Sequence, residues 1–578
     1  MSRPLMRWSA EQLEAEFERA QDAGDIEAVQ QLARELGHRT TPRARKLRDT
    51  VSQFLGGTAN VSDDPTPTAR RQETRQSATP KPDQAKVKPS RTNSGPRLSP
   101  THEQQEAIDK FATGGSLKIN AYAGTGKTST LEMLAHTSPR QGLYIAFNRA
   151  IVQDARNRFP SSVNCSTIHG LAYKATPSKY KNKNDKMLKR INANQLADTL
   201  KFKRWQIDRK HVLTPRSQGY LVLETLRRFM QSADIELTAA HVPRHGSFVS
   251  APEPTLKAAQ DFALHAARHV WDRMKDENDP IPLGHDGYLK LWALSQPTLA
   301  ADFILLDEAQ DTNPVVLDVL KRQSAQMIYV GDKYQQIYEW RGAINAMEKI
   351  ETDESSYLTT SFRFGARIAN AASSILRLLH EQIPIQGNSS VDSRIGPVTP
   401  QTILARTNAS AITAVIECLD AGMKPHLVGG TDELMEMLRG VQDLKAGKQS
   451  TVPDFFGFDK WEEVVEFAKS GEGDHLLTFV NLVESRGERQ LMWALHQTVH
   501  AEKSNITIST AHKAKGQEWR TVRLMDDFLR SQPKRNGHDK RESNGHDPAE
   551  LRLFYVALTR AKEAVEVPQA VLSLLTAR

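Results

Sequence analysis

The sequence predicts an α/β protein with a parallel-sheet core, on three observations. Short apolar runs (SLKINAYA, GLYIAF, DFILLDEA and QMIYVGD) resemble the buried strands of a parallel sheet. Helical stretches lie between them, the alternation that right-handed crossovers produce. A glycine-containing turn, AYAGTGKT, joins the first run directly to the helical segment TSTLEMLAH.

Size and composition set the frame for these elements. At 578 residues, and about 150 residues per domain, the chain has room for roughly four domains. The formal charge of +8 favours polyanions through a salt-sensitive attraction to phosphate. Only Cys165 and Cys418 are present. Two distant cysteines make neither a disulfide framework nor a zinc site, so a reducing, cytoplasmic setting is expected. The opening MSRPLMRWSAEQLEAEF lacks the apolar core of a signal peptide, and no run is long enough to cross a bilayer, so no membrane association is expected.

The N-terminal region divides in two. Residues 1–55 form a helical segment: WSAEQLEAEFERAQ and DIEAVQQLARELG space apolar residues by three and four, with Gly37 as a stop. Such helices are either a solvated amphipathic hairpin or a docking surface for a protein partner. Residues 56–97 are rich in Pro, Ser, Thr and basic residues and lack aromatics. Such a stretch cannot bury enough apolar surface to offset its ordering entropy, and it reads as a disordered basic linker.

The turn at residues 121–128 sits between a strand and a helix, the context of a phosphate-binding loop. Gly124, Thr125 and Gly126 let backbone amides wrap a phosphate, and the following helix adds its positive end. Lys127 would reach the β- and γ-phosphates, and the Thr128 hydroxyl would face Mg²⁺. The first position of the usual motif is glycine; here it is Ala121. In ADFILLDEAQD, four apolar residues carry Asp307 and Glu308 to a strand's C-terminal edge, where open α/β sheets bind ligands. Asp307 is placed to hold Mg²⁺, directly or through water. Glu308 is placed to orient or deprotonate an attacking water.

DEAQD followed some twenty residues on by GDKYQQIYEWRGA resembles superfamily 1 helicases of the UvrD/Rep type. Further motifs follow in that family's order: LSPTHEQQEAI, LYIAFNRAIVQDARNRFP, VNCSTIHGLAY, LTTSFRFG, ILARTNAS, ISTAHKAKGQEW and LRLFYVALTRAKE. FNRAI, NCSTIHGLAY, TTSFRFG and STAHKAKGQEW look especially like the F-box DNA helicase branch. The resemblance covers about Leu98 to Ala564. No F-box is recognisable, so a ubiquitin-ligase partner is not expected.

The resemblance implies two RecA-like parallel-sheet domains with mostly helical inserted subdomains. Domain 1A would take residues 98–172 and 281–345, with subdomain 1B at 173–280. Domain 2A would take 346–411 and 501–578, with a reduced 2B-like insertion at 412–500. It implies ATP and Mg²⁺ as cofactors, single-stranded DNA and single-strand/duplex junctions as partners, and 3′→5′ movement. A translocase that strips bound proteins, or the motor of a defence system, would use the same residues.

By the same resemblance, Gln104 would recognise adenine, Arg363 and Arg560 would stabilise the γ-phosphate across a cleft, and Arg341 would organise it. Glu518 would reach the ribose. Gln335 would sense the γ-phosphate and pass its state to Tyr338 and Trp340, aromatics suited to base stacking. Phe147 and Asn148 would meet a base and a phosphate; Thr167, His169, Thr510 and His512 would approach the backbone. The lysine-dense stretch from Tyr173 to Lys210 would track phosphates.

Overall fold

The computed structural model describes residues 99–576 apart from 182–183, 210, 245–247, 249–250, 338–344, 449, 451, 456–457, 471–472 and 530–545. N-terminal to these it describes 13–14, 16–17, 19–20, 26–37, 47–48 and 50–51. The expected linker 56–97, and Tyr338, Trp340 and Arg341, lie outside the described residues.

The chain divides into two compact units, Met1–Gly95 and Pro96–Arg578. In the first, the helix Ile26–Gly37 ends at the expected glycine. Its face of Val29, Leu32 and Leu36 joins Leu13, Phe17, Leu47 and Val51 in a small buried cluster.

The second unit is built on two six-stranded sheets, each wholly parallel. The first contains β1 (Leu117–Ala121), β2 (Gly142–Ile145), β3 (Val163–Ser166), β4 (Phe303–Leu306), β5 (Gln326–Gly331) and β6 (Glu354–Leu358) in the order β3-β2-β4-β5-β1-β6. The second contains β7 (Arg394–Ile395), β8 (Thr402–Ala405), β9 (Pro425–Leu427), β10 (Ile506–Thr510), β11 (Trp519–Leu524) and β12 (Ala561–Glu566) in the order β9-β10-β8-β11-β12-β7. Every residue of β2, β4 and β5 is buried, which is why these strands read as unbroken apolar runs. Edge strand β6, ESSYL, is half exposed and too polar to announce itself.

Two expected boundaries move. β6 pairs with β1 from Leu117↔Glu354 to Ala121↔Leu358, so the first lobe extends to Leu358 rather than ending at residue 345. The helix Asn408–Asp420 runs through the expected boundary at 411/412, and β9 pairs with β10, so the second lobe continues to Leu427 before its insertion begins. Strand pairing, a long-range event, places both edges.

The insertion of the first lobe is mostly helical, with one short antiparallel ribbon pairing Trp205–Gln206 with Val212–Leu213. Helices α1 (Pro215–Gln231) and α2 (Glu253–Lys275) pack on each other and toward α3 (Gly284–Leu294). Phe229, Trp271 and Tyr288 from them share one core with Leu143, Ile145 and Ile304 of the sheet. In the second lobe, helices Asp474–Arg486 and Glu488–His496 cover Asn408–Asp420, Asp432–Lys445 packs on Glu488–His496, and all share a core with Ile403 and Ile508. Among the described residues no helix is long and apolar enough to cross a membrane.

Candidate nucleotide cleft and nucleic-acid interface

The cleft assembles where β1, β4 and β5 end and the second lobe meets them. Ala121 is the last residue of β1, in ordinary strand pairing with Leu358, so the glycine usual at this point is not required. Gly124 and Gly126 are required. Their φ values are +77° and +79°, and Gly126 caps the helix Lys127–His136 in the left-handed conformation. A Cβ on Gly124 would lie 2.6 Å from Ser361 Oγ and 2.7 Å from Arg363 Cβ. That helix has no acid of its own in its first turn to oppose an anion at its N-terminus.

Gln104 lies beside this loop. Its Oε1 accepts from the Thr101 amide at 3.0 Å in a capping box, and its Nε2 donates to Thr130 Oγ1 at 3.2 Å. The Phe362 ring, 48 % exposed, lies against Gly126. Phe362 is anchored by its amide, which donates to Gly124 O at 2.8 Å.

The acid pair occupies the end of β4. Thr128 Oγ1 and the Tyr144 hydroxyl both donate to Asp307 Oδ2, at 2.7 and 2.8 Å. Burial, then the charge of Glu308, pushes the Asp307 carboxyl up. Glu308 itself has a left-handed backbone, φ +52°, a cost a non-glycine residue bears where the surroundings over-determine it. Its Oε1 lies 3.9 Å from Lys127 Nζ, and its Oε2 accepts from Gln310 Nε2 at 2.6 Å. Burial raises its pKa, but Lys127, Lys515, Gln310 and Arg560 outweigh that and hold Glu308 below the usual carboxylate range. It is therefore an ionised acceptor at neutral pH.

The second lobe supplies the cations. Arg560, 1 % exposed, donates from Nε to Val556 O at 2.9 Å and from Nη2 to Gln335 Oε1 at 3.4 Å. Arg363 donates from Nε to Glu518 Oε2 at 2.7 Å and from Nη1 to Thr559 O at 3.0 Å. Glu518 also pairs with Lys562 at 2.5 Å, so a ribose contact would compete with two cations. Lys515 crosses between lobes: its Nζ donates to Asp311 Oδ2 at 2.6 Å and to Gln335 O at 2.5 Å.

This last pair carries a stability prediction. Asp311 is 4 % exposed in its side chain, and removing its partner leaves a buried carboxylate uncompensated. Lys515→Ala is expected to lower stability by about 3 kcal/mol at pH 8. Burial, only partly opposed by Lys515, already pushes Asp311 up to about 6, and losing that ammonium raises it further. A carboxyl with a raised folded-state pKa contributes stability at low pH and loses it as pH rises through that value. The deficit against wild type should thus shrink from pH 8 to pH 5; a pH-independent deficit in denaturant titrations would contradict this.

The residues expected to contact nucleic acid lie at or just after the C-terminal ends of β2 and β3 in the first sheet and of β10 in the second. Phe147 is 60 % exposed. Asn148 Oδ1 accepts from the Ile151 amide at 3.0 Å and Thr167 Oγ1 from the Gly170 amide at 3.0 Å, so both side chains cap helices. His169 Nε2 lies 3.8 Å from Asp286 Oδ1 on α3. Thr510 ends β10, and His512 follows it by two residues, next to a Lys513–Glu433 pair of 2.9 Å.

Residues 100–355 match the UvrD/REP helicase N-terminal domain, and residues 432–567 match the UvrD-like helicase C-terminal domain. The chain belongs to the UvrD-like helicase family. Its relatives include F-box DNA helicase 1 of Gallus gallus, 31 % identical over 514 residues, covering 82 % of this chain and 49 % of the relative. F-box DNA helicase protein 1 of Schizosaccharomyces pombe is 31 % identical over 508 residues, 80 % of this chain and 56 % of the relative. The ATP-dependent DNA helicase PcrA of Leuconostoc citreum is 25 % identical over 321 residues, 49 % of this chain and 40 % of the relative. The chain thus spans about half the length of the curated relatives it matches.

In this UvrD-like chain the sequence-predicted Lys127, Thr128, Asp307, Glu308, Gln335 and Arg560 belong to one contact network across the two lobes. Sequence reasoning missed Tyr144, Gln310, Asp332, Phe362, Lys515 and Tyr555. Gln310, Asp332, Phe362, Lys515 and Tyr555 stand inside recognised motifs, but nothing in their spacing shows what they touch. Tyr144 stands in LYIAFNRAIVQDARNRFP, but as a buried strand tyrosine it gives no sign of its bond to Asp307.

Proposed function

We propose that the chain is an ATP-driven DNA helicase that moves 3′→5′ on single strands and separates duplexes at their junctions. The observation carrying this reading is the cleft: one lobe presents Lys127 and Glu308, and the other lobe closes it with Arg560 and Arg363. Hydrolysis in such a cleft depends on both lobes being in place, which is how nucleotide turnover drives relative movement.

ATP fits the residues. The Gly124–Thr128 loop would hold the phosphates, and Phe362 with Gln104 would offer a flat ring and an amide to the base. The Thr128 hydroxyl and Asp307 carboxylate are hard oxygen donors that suit Mg²⁺, which binds through one or two protein oxygens plus phosphates and water. When bound, Mg²⁺ would neutralise charge on the phosphates. Glu308 would accept the proton of the attacking water, while Arg363 and Arg560 would meet charge on the γ-phosphate. Gln335 joins Arg560 to the segment carrying Tyr338 and Trp340, for which base stacking is proposed.

Phe147, Thr167, His169, Thr510 and His512 would line the strand's path, with Asn148 serving first as a helix cap. A setting in repair, recombination or replication in the cytoplasm accords with this reading, as does a protein-binding role for the N-terminal helices.

The test is ATP hydrolysis with and without single-stranded DNA, with Lys127→Ala as control, followed by unwinding of duplexes bearing a 3′ or a 5′ tail. Stimulation by DNA and preference for the 3′ tail are expected. Hydrolysis indifferent to DNA would remove the motor reading; preference for the 5′ tail would reverse the polarity.

A further inference from the structure

Tyr555 stands on α4 (Pro548–Leu558), the helix that leads to Arg560, and is wholly buried. Its hydroxyl accepts from the Ala123 amide at 3.0 Å and donates to Asp332 Oδ2 at 3.1 Å. Ala123 immediately precedes Gly124 in the phosphate loop. Asp332 Oδ2 also accepts from Gln335 Nε2 at 2.8 Å, and Gln335 Oε1 accepts from Arg560 Nη2 at 3.4 Å. Arg560 Nε returns to Val556 O, next to Tyr555. The contacts form a circuit that leaves one helix of the second lobe, touches the phosphate loop and the end of β5, and comes back to the same helix.

Packing does not explain the hydroxyl. A phenylalanine would fill nearly the same volume and keep the edge contact with the Tyr334 ring, whose centroid is 6.4 Å away. What the hydroxyl adds is one acceptor and one donor, aimed at two separate segments of the first lobe. Tyr555, Asp332, Gln335 and Arg560 are each at most 4 % exposed, so water cannot replace a lost partner while the lobes are closed.

We propose that Tyr555 is a positioning residue that registers closure of the cleft, binding the phosphate loop and Asp332 to the helix that delivers Arg560. It touches no reacting atom. It sets the fraction of time in which Arg560, Gln335 and the phosphate loop hold one arrangement. This rests on the ATP-hydrolysis reading above.

The test uses the full chain carrying Tyr555→Phe, with DNA-stimulated hydrolysis followed over ATP concentration. Removing the hydroxyl leaves a buried amide and a buried carboxylate each one partner short only when the lobes are closed. The kcat should therefore fall about tenfold, with KM for ATP within about twofold because the residues holding ground-state phosphate are untouched. An unchanged kcat overturns the proposal. So does a raised KM at unchanged kcat, or a loss of activity that merely follows the unfolded fraction in a thermal melt. If Tyr555→Phe does not fold, the near-isosteric Asp332→Asn tests the same circuit and should give the same split. A wild-type chain without DNA-stimulated hydrolysis sinks the motor reading and this inference together. A working wild type indistinguishable from both variants sinks this inference alone.

Discussion

Arg560→Ala is expected to lower DNA-stimulated ATP hydrolysis by about 10³-fold while ATP binding changes only a few-fold. Arg560 lies 1 % exposed at the end of α4, with its guanidinium held by Val556 O, Gln517 O and Gln335 Oε1. Burial, then the neighbouring Arg363 guanidinium, pulls its pKa down to about 9, so it still carries its charge at neutral pH. A buried charge in a dry cleft acts on the transferring phosphoryl group without solvent reorganisation, which is why its loss falls on turnover. Arg560→Lys keeps the charge but not the planar fork, and should restore only part of the rate. Single-turnover hydrolysis beside equilibrium nucleotide binding separates the two effects. A variant that hydrolyses ATP within about tenfold of wild type would show that the charge across the cleft comes from elsewhere.

Glu308→Gln is the second large effect. Turnover should fall by about 10²- to 10⁴-fold, the usual contribution of a general base, with ATP bound as well as before. The substitution is nearly isosteric, and the amide oxygen still accepts from Gln310 Nε2. What disappears is the negative charge that Lys127 and Lys515 stabilise. Because those cations hold the carboxyl below its usual range, Glu308 stays ionised well below neutral pH. The acid limb of the wild-type rate profile should therefore not come from Glu308. The left-handed backbone at Glu308 is kept by both residues, so folding should not separate them. Measured turnover close to wild type would assign the proton to another acceptor.

The cleft was legible in the sequence only in part. AYAGTGKT and DEAQD announce themselves because their chemistry is local. A loop that wraps phosphate needs glycine where φ is positive, and a strand-end carboxylate needs an apolar strand behind it. Thr128 and Asp307 meet at 2.7 Å, as the two motifs together suggest. Asn148 and Thr167 were singled out for nucleic acid, yet each also terminates a helix, a role their position before an apolar-periodic segment could have indicated.

By itself the sequence determined the class of fold and the strands β1, β2, β4 and β5, and it picked out the residues proposed to hold a triphosphate. These follow from periodicity and from chemistry confined to a few consecutive residues. Only the tertiary structure decided that β6 belongs to the first lobe, that the second lobe runs to Leu427, and that Lys515 and Tyr555 tie the lobes together. Tyr555 and Asp332 stand 223 residues apart and Lys515 and Asp311 stand 204 apart. A donor's identity fixes what it can bond but not which distant acceptor folding will bring to it; that choice is made by sheet order and by the packing of α4 against the turn after β5.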